Sequence, residues 1–276
     1  MFRSHSLGWA ALVCGVAALW PALAADQMPV PDFSSNNVSW IAIDNELISP
    51  PSGPGPVKSD PAHPYYGNYA GRQGNYRVAD LASPILTPWA VERLRKTNEI
   101  VLSGKTPFIA RERCWPGGVP GFLLFPIQPL YFIQTPKEVW MILQYDHQPR
   151  RVYLNRPHSA HVTPSWFGES VGHYEGDTLV VDTIGLSDKT TIDNYQTPHT
   201  TALHVVERFR KIEGGKKLQV MVTVEDPGAF TTKWSAMQLF DRAEQGPMLE
   251  VACSENNGGY FNYDVYPLPQ ADKPDF

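Results

Sequence analysis

The chain has 276 residues, with 23 Lys and Arg against 28 Asp and Glu, and its net charge of −5 is spread along its length. The absence of a basic stripe excludes nucleic acid as an expected partner. The 26 prolines and 12% aromatic residues suit an all-β protein with long ordered loops better than a helical one.

At the N-terminus, Arg3 precedes an apolar run over Leu7–Trp20, and Ala22-Leu23-Ala24 has the small-x-small spacing of a signal-peptidase site. The run falls short of the roughly 20 residues a membrane helix needs. Residues 1–24 are therefore expected to be a signal peptide, and the mature chain to be periplasmic or extracellular with no membrane span. Cys14 leaves with that segment. The remaining pair, Cys114 and Cys253, predicts a disulfide in an oxidising compartment. Closing so long a loop is worth about 4 kcal/mol when unstrained.

Residues 25–86 are rich in Pro, Gly, Asn and Ser, and Ser49–Pro56 (SPPSGPGP) cannot be a helix or a central strand. This stretch reads as an arm, with Trp40, Ile41 and Ile43 docking one short segment of it. Tyr65, Tyr66 and Tyr69 within it suit either ligand stacking or packing over a barrel mouth. The rest, 87–276, reads as a helix followed by one β domain. Thr87 is a good N-cap, Pro88 fits the first helical position, and Gly104 ends a helix over Thr87–Ser103 with Trp89, Leu94, Ile100 and Val101 as its apolar stripe.

From Arg113 the hydrophobic period changes to two. Strands are expected near Phe122–Phe125, Tyr131–Gln134, Glu138–Tyr145, Arg151–Leu154, Ser170–Tyr174, Thr178–Thr183, Ala202–Ile212, Leu218–Glu225, Ala236–Phe240 and Met248–Ser254. Tight turns at Thr135-Pro136-Lys137, Glu175-Gly176-Asp177 and Glu213-Gly214-Gly215 predict antiparallel hairpins. Closure removes the sticky edges of such a sheet, so the fold class is mainly β, an antiparallel closed barrel.

The segments CWPGGVP from Cys114, PLYFIQTP from Pro129, GESVGHYEGDTLVVDT from Gly168, PHTTALHVVER from Pro198, VEDPGAFT from Val224 and CSENN from Cys253 together resemble a group of secreted bacterial proteins. That group is recognised by a GHWEGDTLVVDT core. The resemblance spans about Thr87 to Asn257. It implies export and a calycin-like or lipocalin-like barrel, but no reaction, since most members carry no assigned activity. This chain departs from the pattern at Tyr174 (usually Trp), at Asn155-Arg156 (usually Asp-Gly) and at Lys233 (usually Pro).

The hairpin Gly168–Leu186 holds the first candidate site. Residues two apart on a strand share a face, so Val171, His173 and Glu175 point one way, Gly172 and Tyr174 the other. An imidazole near carboxylates is poised for acid–base work, and His173 with Asp182 is the expected catalytic pair. Glu175-Gly176-Asp177 is equally ordinary turn chemistry. The second candidate is His199 in a loop before a strand with His204, Glu207 and Arg208. If Val205 and Phe209 face inward, Glu207 is a buried acid, serving either proton transfer or a bridge to an arginine. Trp140, Trp166, Tyr174, Trp234 and Arg208 are the candidate ligand-binding residues.

A metal site from His158, His161, His173, His199 and His204 lacks a recognised spacing, and no nucleotide-binding glycine loop is present, so no cofactor is expected. Gly168-Glu169-Ser170-Val171-Gly172 fits a nucleophile elbow only by letter, in a hairpin context. Glu225 and Asp226 read as a strand-ending turn. Two functions follow. One is an enzyme acting on a small apolar or aromatic molecule by cofactor-independent acid–base chemistry, as a lyase, isomerase or hydrolase. The other is a non-catalytic carrier with that ligand inside the barrel.

Overall fold

In a computed structural model, residues 30–34, 38–65, 77–105, 107–108, 110, 114–125, 128–144, 149–244, 246 and 248–251 are described. The signal segment, Tyr66, Tyr69 and Cys253 lie outside them. Nine strands close into a barrel in sequence order. They are β1 (Val38–Ala42), β2 (Leu130–Gln134), β3 (Glu138–Leu143), β4 (Pro149–Leu154), β5 (Glu169–Glu175), β6 (Thr178–Ile184), β7 (His204–Ile212), β8 (Lys217–Glu225) and β9 (Trp234–Glu244).

An odd number of strands cannot close with antiparallel neighbours alone, because direction would have to alternate around an odd ring. At least one pair must be parallel. That pair is β4–β5, in register only at Val152↔Ser170, Tyr153↔Val171 and Leu154↔Gly172. The barrel is therefore mixed, and the purely antiparallel expectation is corrected at this seam. A parallel neighbour cannot be reached by a hairpin. Residues 155–168 must run back along the barrel to start β5, and that crossover builds the candidate site.

The arm contributes more than a docked segment. Its VSWIA run, rich in β-branched and aromatic residues, is β1 itself. It pairs with β9 over five positions from Val38↔Glu244 to Ala42↔Phe240, and with β2 at Trp40↔Leu130. Trp40 is fully buried, and its indole donates to Phe33 O at 3.0 Å.

Inward residues form layers set by the register. One runs Val152, Ser170, Thr183, Val205, Val224, Trp234, and the next runs Gly172, Val181, Glu207, Val222, Ala236. Toward the other end, Phe132 packs against Phe33 and Phe209 with ring centroids 5.4 and 6.0 Å apart.

Helix α1 (Pro88–Leu102) begins and ends as expected, with Thr87 Oγ1 accepting from Ala90 N at 3.3 Å. Its buried face differs. Ala90, Leu94 and Asn98, four apart, are covered, whereas Trp89 is exposed. Asn98 holds both backbone groups of Ala79 at 2.9 Å, which fastens the arm to the helix. Two predicted strands are absent. Phe122–Phe125 begins in a 3-10 turn, Gly121–Leu123, that buries Phe122 and Leu123. Of Met248–Ser254, residues 248–251 carry no strand and the others lie outside the described residues.

Candidate functional site at the parallel seam

The crossover can lie close to the sheet because of two glycines in the left-handed region, Gly168 (φ +64°) and Gly185 (φ +69°). A Cβ on Gly185 would come within 2.3 Å of Val162 Cγ1. Ser165 N donates to Gly185 O and Ser187 N to Ser165 O, at 3.0 and 2.8 Å. Gly185→Ala is expected to cost about 1–2 kcal/mol of backbone strain and to push Val162 outward, read as a lower urea midpoint.

The loop places His158 between two acids on the outer face. Its Nδ1 lies 3.1 Å from Glu169 Oε1, and its Nε2 lies 2.9 Å from Asp182 Oδ1. The same Asp182 oxygen is 3.0 Å from His204 Nε2. An ionised carboxylate only accepts, so both His158 bonds form when both ring nitrogens carry hydrogen. Glu169 also accepts from Ser159 N at 2.7 Å, Ser159 Oγ at 2.5 Å and Arg156 Nη2 at 3.2 Å. The result is a chain Glu169–His158–Asp182–His204 on a partly exposed surface. The hydrogen bond from His204, and then that from His158, hold the Asp182 carboxyl below its usual range against the cost of burial. The bond to Asp182 raises His204 above the ordinary histidine value. Glu169 is also held low, its hydrogen bonds outweighing a burial penalty that is the largest single influence on it.

Beside this chain, where β4 and β5 splay, an open groove of about 340 Å³ is lined by Arg151, Tyr153, His161, Thr163, Phe167 and Glu169 among others. Arg151 stacks between Trp140 and Tyr153, 5.1 and 4.5 Å from the ring centroids, and Arg156 lies 3.6 Å from the Tyr153 centroid. Among the described residues no cluster of His, Cys, Asp or Glu has the geometry of a metal site.

The expected catalytic set does not converge. His173 and Asp182 form no pair. His173 is on the outside, 3.0 Å from Glu175 Oε1, and Glu175 also binds Arg208. Its register partner is Val180, whereas Asp182 stands opposite Val171. His199 is buried, with Nδ1 2.9 Å from Thr200 O and Nε2 2.8 Å from Thr190 Oγ1. A carbonyl only accepts, so Nδ1 carries the hydrogen and Nε2 accepts from the threonine. Burial lowers its pKa and favours this neutral form. His199 bolts two loop segments together.

Glu207 does face inward, and its partner is Arg150. The guanidinium reaches from β4 to β7 and grips both carboxylate oxygens, with Nη1–Oε1 at 3.0 Å and Nη2 on Oε2. Its other donors go to Ser170 Oγ at 3.2 Å and Thr183 Oγ1 at 2.8 Å, and Phe122 lies 4.9 Å below it. Both charged side chains are essentially inaccessible.

The candidate ligand aromatics are scattered. Trp140 is on the outer wall, its indole on Glu138 Oε2 at 3.1 Å. Trp166 packs on Trp115, 5.2 Å between centroids. Tyr174 faces inward at the far end and accepts from Gln134 Nε2 at 2.9 Å. Trp234 is buried edge-on to Phe230.

A further polar knot ties the arm to loop 187–203. Buried Arg77 donates to Glu46 Oε1 at 3.0 Å and Asn45 Oδ1 at 2.6 Å and stacks on Tyr65, 3.8 Å from its centroid. Tyr195 joins Glu46 and Ser59. Nearby Asp193 is buried around bonds from Tyr195 N and from Thr197 N and Oγ1. Burial pushes its pKa up to about 6 from 3.8. A folded acid with a raised pKa holds its proton longer than the unfolded chain does, so its stability contribution is complete below about pH 4 and falls as pH rises through 6. The loss is up to about 3 kcal/mol. Denaturant midpoints measured from pH 4 to 7 are expected to lose this fall in Asp193→Asn.

Comparison with protein-family models, with curated proteins and with solved structures found no match. Fold and site therefore define the class on their own. It is a closed nine-stranded mixed barrel with a carboxylate–imidazole chain on its parallel seam.

Proposed function

We propose that this protein is an enzyme that moves a proton on a small molecule with an aromatic part, held in the groove at the β4–β5 seam, using its own side chains. The observation that carries this reading is His158, fixed by Asp182 on one nitrogen and on the other by Glu169, which lines that groove. A positioned acid–base group of this kind is worth about 10²–10⁴ in rate. His158 is the proton-moving group, Asp182 orients it, and His204 shares the same carboxylate. A lyase, isomerase or hydrolase step fits an imidazole that gives up a proton and takes one back once a ligand takes the place of Glu169 on its Nδ1. The ligand is placed in the outer groove and not inside the barrel because Phe132, Phe209, Trp40 and the Arg150–Glu207 pair fill inward positions.

Small aromatic esters, lactones and enolisable ketones incubated in heavy water and followed by NMR test this. The wild type is expected to convert or exchange one class, and His158→Gln to do so about 100-fold more slowly at an unchanged thermal midpoint. Equal rates in the two proteins would remove His158 from the mechanism.

The same reading includes export, with residues 1–24 removed, and kinship with the GHWEGDTLVVDT group through the Gly168–Thr183 motif. It also includes a Cys114–Cys253 disulfide. Among the described residues no helix is long and apolar enough to cross a membrane. The disulfide is expected to leave no alkylatable thiol in unreduced mature protein by mass measurement. Two labelled cysteines would reject it.

A further inference from the structure

The groove has an uneven supply of hydrogen-bonding groups. Its acidic member, Glu169, already accepts four contacts, from His158 Nδ1, Ser159 N, Ser159 Oγ and Arg156 Nη2. A carboxylate has about four lone-pair sites, so Glu169 has little left to offer a ligand. The Ser170 hydroxyl is turned to the interior, where it meets Arg150 and Thr183 Oγ1. The uncommitted groups are donors. His161 is exposed and makes no hydrogen bond among the described residues. Arg151 spends one hydrogen bond on Glu138 and has further N–H groups at the groove wall. The rings of Tyr153 and Phe167 supply flat apolar surface on the same lining.

We infer that the groove takes an aromatic carboxylate, its ring against Tyr153 and Phe167 and its anionic group met by Arg151 and His161. This deepens the proposed function by naming the substrate class of the same site. Planar guanidinium and carboxylate match as a two-pronged pair, which favours a carboxylate over a compact neutral acceptor. The volume of about 340 Å³ lies at the lower end of the range for small-molecule sites, which suits one ring with a short polar substituent.

The test uses the mature chain and three probes: benzoate, its neutral counterpart benzamide, and cyclohexanecarboxylate. Binding is read by amide shifts in an NMR titration. Benzoate is expected to move the signals of 161–163 and 167–170. Benzamide is expected to bind at least about tenfold more weakly, the difference that a charged hydrogen bond makes. Cyclohexanecarboxylate should fall between them. His161→Ala and Arg151→Met should each weaken benzoate about tenfold and weaken benzamide less. Benzamide binding as tightly as benzoate would overturn the inference. So would shifts that map elsewhere, indifference to both substitutions, or no binding of any probe at millimolar concentration. His158→Gln separates this from the catalytic reading. Benzoate bound normally by a variant that has lost turnover upholds both, and turnover of an uncharged substrate without benzoate binding overturns the carboxylate alone.

Discussion

Arg150→Met is expected to lower the free energy of unfolding by about 3–5 kcal/mol, because it leaves the Glu207 carboxylate buried with no cation to neutralise it. Glu207→Leu should cost a similar amount by stranding the guanidinium. The double variant should recover most of the loss, since apolar side chains of similar volume often replace a buried pair at little net cost. Ser170 Oγ and Thr183 Oγ1 remain 2.9 Å apart and can satisfy each other once Arg150 is gone. Guanidinium unfolding of all four proteins closes the cycle. A double variant as unstable as the sum of the single losses would mean no coupling, so that Arg150 and Glu207 stabilise through other contacts and not through each other.

The recovery expected of the double variant raises the question of what the pair does. It joins β4 to β7 beneath β5 and β6, whose inward residues at that level are the small Ser170, Gly172 and Thr183, with Val181 beside Glu207. A Cβ on Gly172 would lie 2.9 Å from Val152 Cγ1 and 2.8 Å from Val180 O. Small residues on the two intervening strands leave the space the guanidinium crosses. A one-residue slip at the short β4–β5 seam would turn Arg150 to the outside and leave Glu207 unpaired. The pair thus specifies the register of the parallel seam, which three register positions hold.

Much of this was legible in period and turn chemistry. The shared face of Val205, Glu207 and Phe209 on β7 followed from alternation, as did the opposed faces of His173 and Tyr174. Gly176 takes the left-handed turn conformation at φ +60°. Arg150 lies one residue before the strand expected from Arg151. One residue more, and the alternation with Val152 would have pointed it inward, opposite the expected buried acid. The helix face departs from the apolar stripe because a polar residue, Asn98, is buried for its two backbone bonds. The site was hidden for a different reason. His158 sits in a Pro-flanked loop whose path is dictated by closure of an odd-stranded barrel, and the ninth strand lay in a segment that looked like an arm. Counting strands without β1 concealed both the parallel seam and the crossover. Asp182 was marked from its neighbourhood, but its partners are brought by the sheet register and by the crossover loop, and no local pattern encodes them.

Asp182→Asn is expected to slow turnover by about 100-fold or more and to move the titration of His204 toward lower pH. Asp182 is held low first by its bond from His204, and His204 is held high first by Asp182. An acid with a lowered folded pKa contributes stability above its unfolded value and loses it as pH falls through the folded one. A histidine with a raised folded pKa contributes below 6.5 and loses it as pH rises through the folded value. The contribution is therefore complete between the ordinary aspartate and histidine values, it is lost on the acid side as Asp182 is protonated, and on the alkaline side it weakens as His204 titrates. Asparagine keeps the shape and an acceptor oxygen but removes the charge that holds the imidazolium. NMR titration of the His204 ring hydrogens in both proteins reads the shift directly, and an unchanged midpoint would mean that the 3.0 Å contact is not a charged bond in solution. Activity should fall because the same carboxylate oxygen orients His158, the proton-moving group. A rate equal to that of the wild type would leave Asp182 as a staple for the crossover loop.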